Sequence, residues 1–231
     1  MIKNPLHILH LNNYPILNQL QVEEALLRAD ERNWCILNHG SPPAIVMGIS
    51  NKPHELLDQN PLPLIRRFSG GGTVVVNEET LFCTFIMNEG TVGVNHCPKK
   101  ILEWSSRCYR SILDQHGFGI KENDYVLGSR KFGGNAQSLI RRRWLHHSSL
   151  LWNYDVEQMR YLKIPQKMPA YREGRQHQEF LCRLKDYLDR PEVLFDEIKI
   201  FLNQLFTLEY HSIEEIKSIL DLPHRKATTL V

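Results

Sequence analysis

The chain reads as an α+β protein. Strand-like runs come in pairs joined by turn residues, as in Thr73–Val76 with Leu81–Met87 and Arg130–Ile140 with Trp144–Tyr154. Stretches with apolar residues at spacings of three and four separate and follow them. No repeat and no clear linker divides the 231 residues, which suggests one domain over 1–231. Strands in hairpins with helices packed on them are the pattern of an α+β fold.

Taken in order, the first element is a helix over Asn18–Ala29, with Leu20, Ala25, Leu26, Leu27 and Ala29 as its apolar positions. Strands follow at Trp34–Leu37 and Ala44–Gly48, with Pro42-Pro43 as the turn between them. A short strand, Leu64–Arg67, enters a run of three glycines. The hairpin Thr73–Val76 and Leu81–Met87 turns at Asn77–Thr80. A helix opens at Pro98, carries Ile101, Trp104, Cys108 and Ile112 as a core stripe, and is capped by Gly117. Arg141-Arg142-Arg143 forms the tip of the next hairpin. Asp155, with Gln158 three residues on, is a helix N-cap. Residues 163–178 read as a mobile basic loop, and Glu179–Leu188 as a helix. Pro191 opens another helix that buries Leu194, Ile198, Phe201, Leu202 and Leu205. Ser212-Ile213-Glu214-Glu215 is the capping box of a last short helix before Pro223.

Composition excludes several classes. Twenty-eight basic and 26 acidic residues nearly balance, so no dominant nucleic-acid surface is required. Five cysteines (Cys35, Cys83, Cys97, Cys108, Cys182) form no CxxC pair, which suits reduced thiols in a cytoplasmic protein. No apolar run is long enough to span a membrane, and Met1–Leu11 carries polar residues unlike a signal peptide.

Chemistry concentrates in Arg66-Arg67-Phe68-Ser69-Gly70-Gly71-Gly72-Thr73-Val74-Val75-Val76. Three glycines remove every Cβ from a turn, so an anion can lie against backbone N–H groups. The arginines add fixed charge and forked donors. In an extended segment Arg66 and Arg67 point to opposite faces. Neither common phosphate loop is present, and a strand rather than a helix follows. A second cluster is Asn123-Asp124 followed by Lys131-Phe132-Gly133-Gly134-Asn135-Ala136-Gln137. Lys131 offers a point charge with three donors, and Asp124 an oxygen ligand for Mg²⁺. His146 and His147 fall on opposite faces of one strand, so at most one enters a site and the pair is poorly placed for zinc.

Together these segments resemble the lipoate–protein ligase A family, a branch of the biotin/lipoate ligase superfamily. Residues 66–74 are similar to its Arg-Arg-x-Ser-Gly-Gly-Gly-x-Val signature. Arg130-Lys131-Phe132-Gly133-Gly134-Asn135-Ala136 is similar to its Arg-Lys-hydrophobic-x-Gly-Ser/Asn-Ala segment. His146-His147-Ser148-Ser149-Leu150-Leu151 resembles His-His-Gly-Thr-Leu-Leu. Their order also fits, from Gln21-Val22-Glu23-Glu24 to about Leu162. The resemblance implies a mixed, largely antiparallel sheet flanked by helices. It implies joining of lipoate to ATP with Mg²⁺, giving lipoyl-AMP and pyrophosphate. The lipoyl group then passes to a lysine of lipoyl domains in E2 or H-type proteins. Lys131 matches the lysine that contacts carboxyl and α-phosphate. Arg67, Ser69, Gly70, Gly71, Gly72, Thr73, Val74, Val75, Gly133, Asn135, Ala136 and His147 match the adenylate-binding positions.

Two departures stand out. Asn77-Glu78-Glu79-Thr80 replaces the family's His-Asp-x-Gly-Asn, and no C-terminal accessory domain is expected, so a separate accessory protein is a possible partner. Two other readings stay open. One is an octanoyl or lipoyl transferase of the same fold, with Cys182 as nucleophile beside Lys131. The other is a non-catalytic protein that binds lipoyl domains. A biotin ligase is disfavoured, since its Gly-Arg-Gly-Arg-x-Gly type of loop is missing.

Overall fold

In the computed structural model, residues 3–56, 61–164 and 168–231 are described. Twelve strands occur among them: β1 (Pro5–Asn12), β2 (Trp34–His39), β3 (Ala44–Met47), β4 (Leu64–Arg66), β5 (Thr73–Val76), β6 (Thr80–Asn88), β7 (Phe118–Lys121), β8 (Asp124–Leu127), β9 (Arg130–Ile140), β10 (Arg143–Leu151), β11 (Thr207–His211) and β12 (Thr229–Leu230). Eight make one sheet in the order β11-β1-β2-β6-β10-β9-β8-β7. The other four make a small sheet in the order β12-β4-β3-β5. The large sheet is parallel at β11-β1-β2 and antiparallel from β2 to β7. This is the mixed, largely antiparallel α+β architecture expected.

Three longer helices cover the large sheet: α1 (Ile16–Ala29), α2 (Pro98–Ser106) and α3 (Glu192–Leu205). Leu81, Cys83, Phe85 and Met87 of β6 face one core with Trp104, Leu194, Ile198 and Leu202. Phe82 and Ile86, between them, face a second core with Leu20, Leu26, Ile216 and Ile219. Because both faces of β6 are covered, its sequence is almost continuously apolar. A third core joins Ile45, Met47, Leu64 and Val75 of the small sheet to Tyr154, Met159, Phe180 and Leu181.

Most expected elements are present. Asp155 caps Val156–Met159 by accepting from the Glu157 N–H, and Gly117 takes a left-handed φ of 73° after the α2 region. The Ser212–Glu215 capping box forms from both sides. Arg141, with φ 47°, sits at the β9–β10 tip. Other expectations are corrected. Strands β5 and β6 do not pair; β5 pairs with β3, and β6 lies between β2 and β10. Val75 belongs to the third core, whereas β6 serves the other two, so the turn between them changes sheets. In place of the Glu179–Leu188 helix there is one turn, His177–Phe180, a short extended pass beside β9 where Leu181 bridges Lys131, and a 3-10 turn at Leu184–Asp186. The expected basic loop holds a 3-10 turn at Ala170–Arg172, and Arg172 is buried against the Phe180 ring; its residues 165–167 lie outside the described residues. Leu205 ends α3 exposed rather than buried. Strands β1, β7, β8, β11 and β12 were not expected. No described helix is long and apolar enough to cross a membrane.

Candidate active site

The glycine turn joins β4 to β5 across the top of the small sheet. Arg67 is buried and braces the turn from inside: Nε donates to Ser69 Oγ (3.0 Å) and Nη2 to the Gly70 carbonyl (2.5 Å). Burial lowers its pKa to about 10, so it stays charged at neutral pH. Arg66 turns the other way and donates to the carbonyls of Ile49 and Asn51. The opposite orientation of the two arginines is as expected, but Arg67 spends donors on its own loop. Gly71 has φ 95°, and a Cβ there would stand 2.8 Å from Arg67 Nη2. Gly70 and Gly72 face open space. Among the described residues, no group accepts a hydrogen bond from the amides of Gly70, Gly71 or Gly72. The turn therefore offers unengaged N–H groups on a surface without side chains, as an anion site requires.

A buried polar chain ties this turn to α1. Ser69 Oγ lies 2.8 Å from His147 Nε2, and His147 Nδ1 lies 2.8 Å from Glu23 Oε2. Glu23 is fully buried, and its other oxygen accepts from Gln19 and Thr84. The Glu23 carboxylate can only accept, so the His147 Nδ1–H donates to it. His147 and Thr84 face each other across β10 and β6. His146 points to the other side, where Ser105, Tyr125 and Gln137 surround it. Burial pushes its pKa down to about 3. The two histidines thus divide as their spacing predicts, and His147 is the one in the site.

Lys131 lies across from the turn on β9. A register shift against β8 inserts one extra residue near Phe132. Such a bulge re-aims side chains. On a regular strand Lys131 and Gly134 would face apart; here a Cβ on Gly134 would meet Lys131 Nζ at 3.5 Å. Ala136 lies on the same side, and a Cβ on Gly71 would sit 3.6 Å from Ala136 Cβ. The glycine turn and the lysine segment therefore meet along β9.

Several expected site residues have other duties. Gly133 lies on the opposite face, where a Cβ would strike Leu150 at 2.8 Å and Tyr125 at 3.1 Å, so the bulge makes it a packing glycine. Asn135 is held at both ends, donating to the Asn123 carbonyl and accepting from Ser148. Val75 is core, Val74 lies beside the second core, and Thr73 Oγ1 is buried with no partner among the described residues. Asp124 pairs with Lys131 Nζ at 2.8 Å and accepts from the Tyr171 hydroxyl at 2.8 Å. Each oxygen has one partner, and in this arrangement Asp124 is the counter-ion of Lys131. Cys182 is buried, its Sγ near the Arg130 carbonyl, and burial raises its thiol pKa to about 11. A protonated thiol packed in the first core is a poor nucleophile. Sequence reasoning did not single out Glu23, Gly134 or Tyr171. Glu23 was legible only as part of Gln21-Val22-Glu23-Glu24, where the resemblance begins, with no role attached to it.

The chain belongs to the family of the lipoyl protein ligase A/B catalytic domain, whose model matches residues 15–207. A Plasmodium falciparum relative, inactive lipoate–protein ligase 2, is 26% identical over 84% of this chain and 68% of its own length. The chain spans between 24% and 68% of the length of the curated relatives it matches. Among solved structures, a bi-partite lipoate protein ligase studied with its E2 lipoyl domain from Thermoplasma acidophilum aligns with a TM-score of 0.74, at 15% identity over 95% of this chain and 91% of that one. A lipoate–protein ligase A bound with ATP aligns with a TM-score of 0.73, at 15% identity over 95% and 93%. These structures share the fold.

Proposed function

We propose that this chain is the catalytic domain of a lipoate–protein ligase. It joins lipoate to ATP and passes the lipoyl group to a lysine of E2- or H-type lipoyl domains. One observation carries the reading: two separate cation- and amide-rich motifs, Gly70–Gly72 and Lys131, converge along β9 at Gly134 and Ala136. The family model and the ATP-bound structural neighbour support a nucleotide at such a site. The E2 lipoyl domain studied with the archaeal ligase supports the acceptor.

In the first step a lipoate carboxylate oxygen attacks the α-phosphorus and pyrophosphate leaves. Two anions meet, and Lys131 neutralises the charge between them once it exchanges Asp124 for substrate oxygens. The Gly70–Gly72 amides donate to the same charge. In the second step the acceptor lysine amine attacks the acyl carbon, an amide bond forms and AMP leaves. No protein nucleophile takes part, in keeping with the protonated Cys182. Mg²⁺ accompanies ATP, but no described side chain is assigned to it.

The test is direct. Purified protein given lipoate, Mg-ATP and a lipoyl domain releases pyrophosphate and modifies the domain. Transfer from an octanoyl carrier protein without pyrophosphate overturns the ligase reading. Modification from synthetic lipoyl-AMP, with none from lipoate and ATP, confines the chain to the second step.

A further inference from the structure

A second cluster of chemically capable side chains lies far from the glycine turn. Strands β1 and β11 run parallel at the edge of the large sheet, with His7 opposite Glu209 and Leu9 opposite His211. Alternation puts His7, Glu209 and His211 on one face. His7 Nδ1 stands 2.8 Å from His211 Nε2 and 3.4 Å from Glu209 Oε2, and the three ligand atoms all lie within 4.8 Å of one another. Four strands separate β11 from β9, so measured across the sheet the cluster lies four to five strand spacings, about 19–24 Å, from the strand that carries Lys131.

The surroundings hold the rings in place. His7 is nearly buried, and both imidazoles lean on the buried Trp34, with ring centroids 5.0 and 5.2 Å away. The far nitrogen of His211, Nδ1, is 3.9 Å from Glu215 Oε2, itself fixed by the Ser212 N–H and hydroxyl. At that distance the Glu215 carboxylate is an electrostatic partner of the His211 ring rather than a hydrogen-bond acceptor. Arg32 lies over Trp34 and is paired in a fork with Asp30. A hydrogen bond between the two rings accounts for one contact only. It leaves the Glu209 carboxylate aimed at the same His7 nitrogen.

We infer that His7, His211 and Glu209 form a binding site for a divalent transition-metal ion, zinc by preference. Two imidazole nitrogens and one carboxylate oxygen are a zinc donor set, and a tetrahedron with bonds of about 2.05 Å has an edge of about 3.3 Å. The two shortest spacings bracket that value. Glu209 is half-exposed and free to close the third. The fourth position opens to solvent. The ion ties the edge strand β11 to β1, joining residues about two hundred positions apart.

The experiment uses metal-stripped whole protein and zinc chloride alone, followed by calorimetry. One Zn²⁺ binds per chain with a Kd of about 10 μM or tighter, and His211→Ala and Glu209→Gln each weaken it at least about tenfold. Cobalt substitution gives the intense visible bands of a four-coordinate site. Zinc also raises the melting temperature of the native chain but not of His211→Ala. His211 and Glu209 lie at the edge, so these variants fold even if His7→Ala does not. Absence of a stoichiometric site, or equal binding by the native chain and His211→Ala, overturns the proposal.

Discussion

At the residue scale the candidate site is a set of exchanges. Lys131 is held by Asp124, and Asp124 by Tyr171, so the lysine is positioned before any substrate anion reaches it. Lys131→Ala removes the only cation argued to sit between carboxylate and α-phosphate. Pyrophosphate release is expected to fall about 10²–10³-fold, the scale for loss of one charge-stabilising donor. Retained adenylation would refute the assignment. The glycines are unequal. Gly71→Ala forces a side chain onto a φ of 95° and against Arg67, at a cost of about 1–3 kcal/mol in stability. Gly70→Ala meets open space and leaves stability within about 0.5 kcal/mol. Urea unfolding of the two variants checks the contrast. If Gly70 nevertheless supplies an amide to the substrate, the added methyl raises KM without unfolding the chain.

At the element scale, legibility followed local sequence pattern rather than burial. Thr73–Val76 was visible as a β-branched run and α3 by its apolar spacings of three and four, whereas the fully buried β8 was not visible. Strand β1 was not visible either, since His7 and His10 interrupt the apolar run of Pro5–Asn12, and the sequence does not say that His7 is buried there. Strand β11 alternates Leu208 and Tyr210 with Thr207, Glu209 and His211, but it is a short exposed edge of five residues, and that pattern was passed over. The bulge at Phe132 was invisible, and with it the swap that puts Gly134 rather than Gly133 beside Lys131. The motifs mark the glycine turn and the Lys131 segment, but the pairing of Ser69 with His147 and Glu23 joins three separate elements and leaves no local pattern. The adjacent glutamates of α1 also split. Glu24 accepts from the amides of Ala227 and Thr228 and from Arg28, fixing the segment that carries β12 against β4. Glu24→Ala leaves those amides without their acceptor and costs about 1–3 kcal/mol. Hydrogen exchange should quicken at 227–231 and at the β4 residues paired with them, while β6 stays protected. Uniform exchange would refute the local role.

At the scale of the whole molecule, stability is tied to pH through His146. Its folded-state pKa is about 3, against about 6.5 for an ordinary histidine, because burial disfavours the imidazolium. Between those values the unfolded chain binds a proton that the folded chain refuses. The contribution is complete above about pH 6.5 and is lost as pH falls, at about 1.4 kcal/mol per pH unit. The urea midpoint should drop between pH 7 and pH 5, and a His146→Gln variant should show a flatter profile. An equal slope in both would show that other groups dominate.

The parallel seam between β1 and β11 also has a consequence in time. Pro5 pairs with Thr207, and His7 with Glu209. At about 5–20 residues per second on the ribosome, roughly 10–40 seconds pass between the emergence of one strand and the other. Through that interval the outer edge of β1 has no partner, and a bare edge invites pairing with another chain. Production of this protein should therefore depend on whatever shields that edge during synthesis, and slow translation past residue 200 should lower the soluble yield.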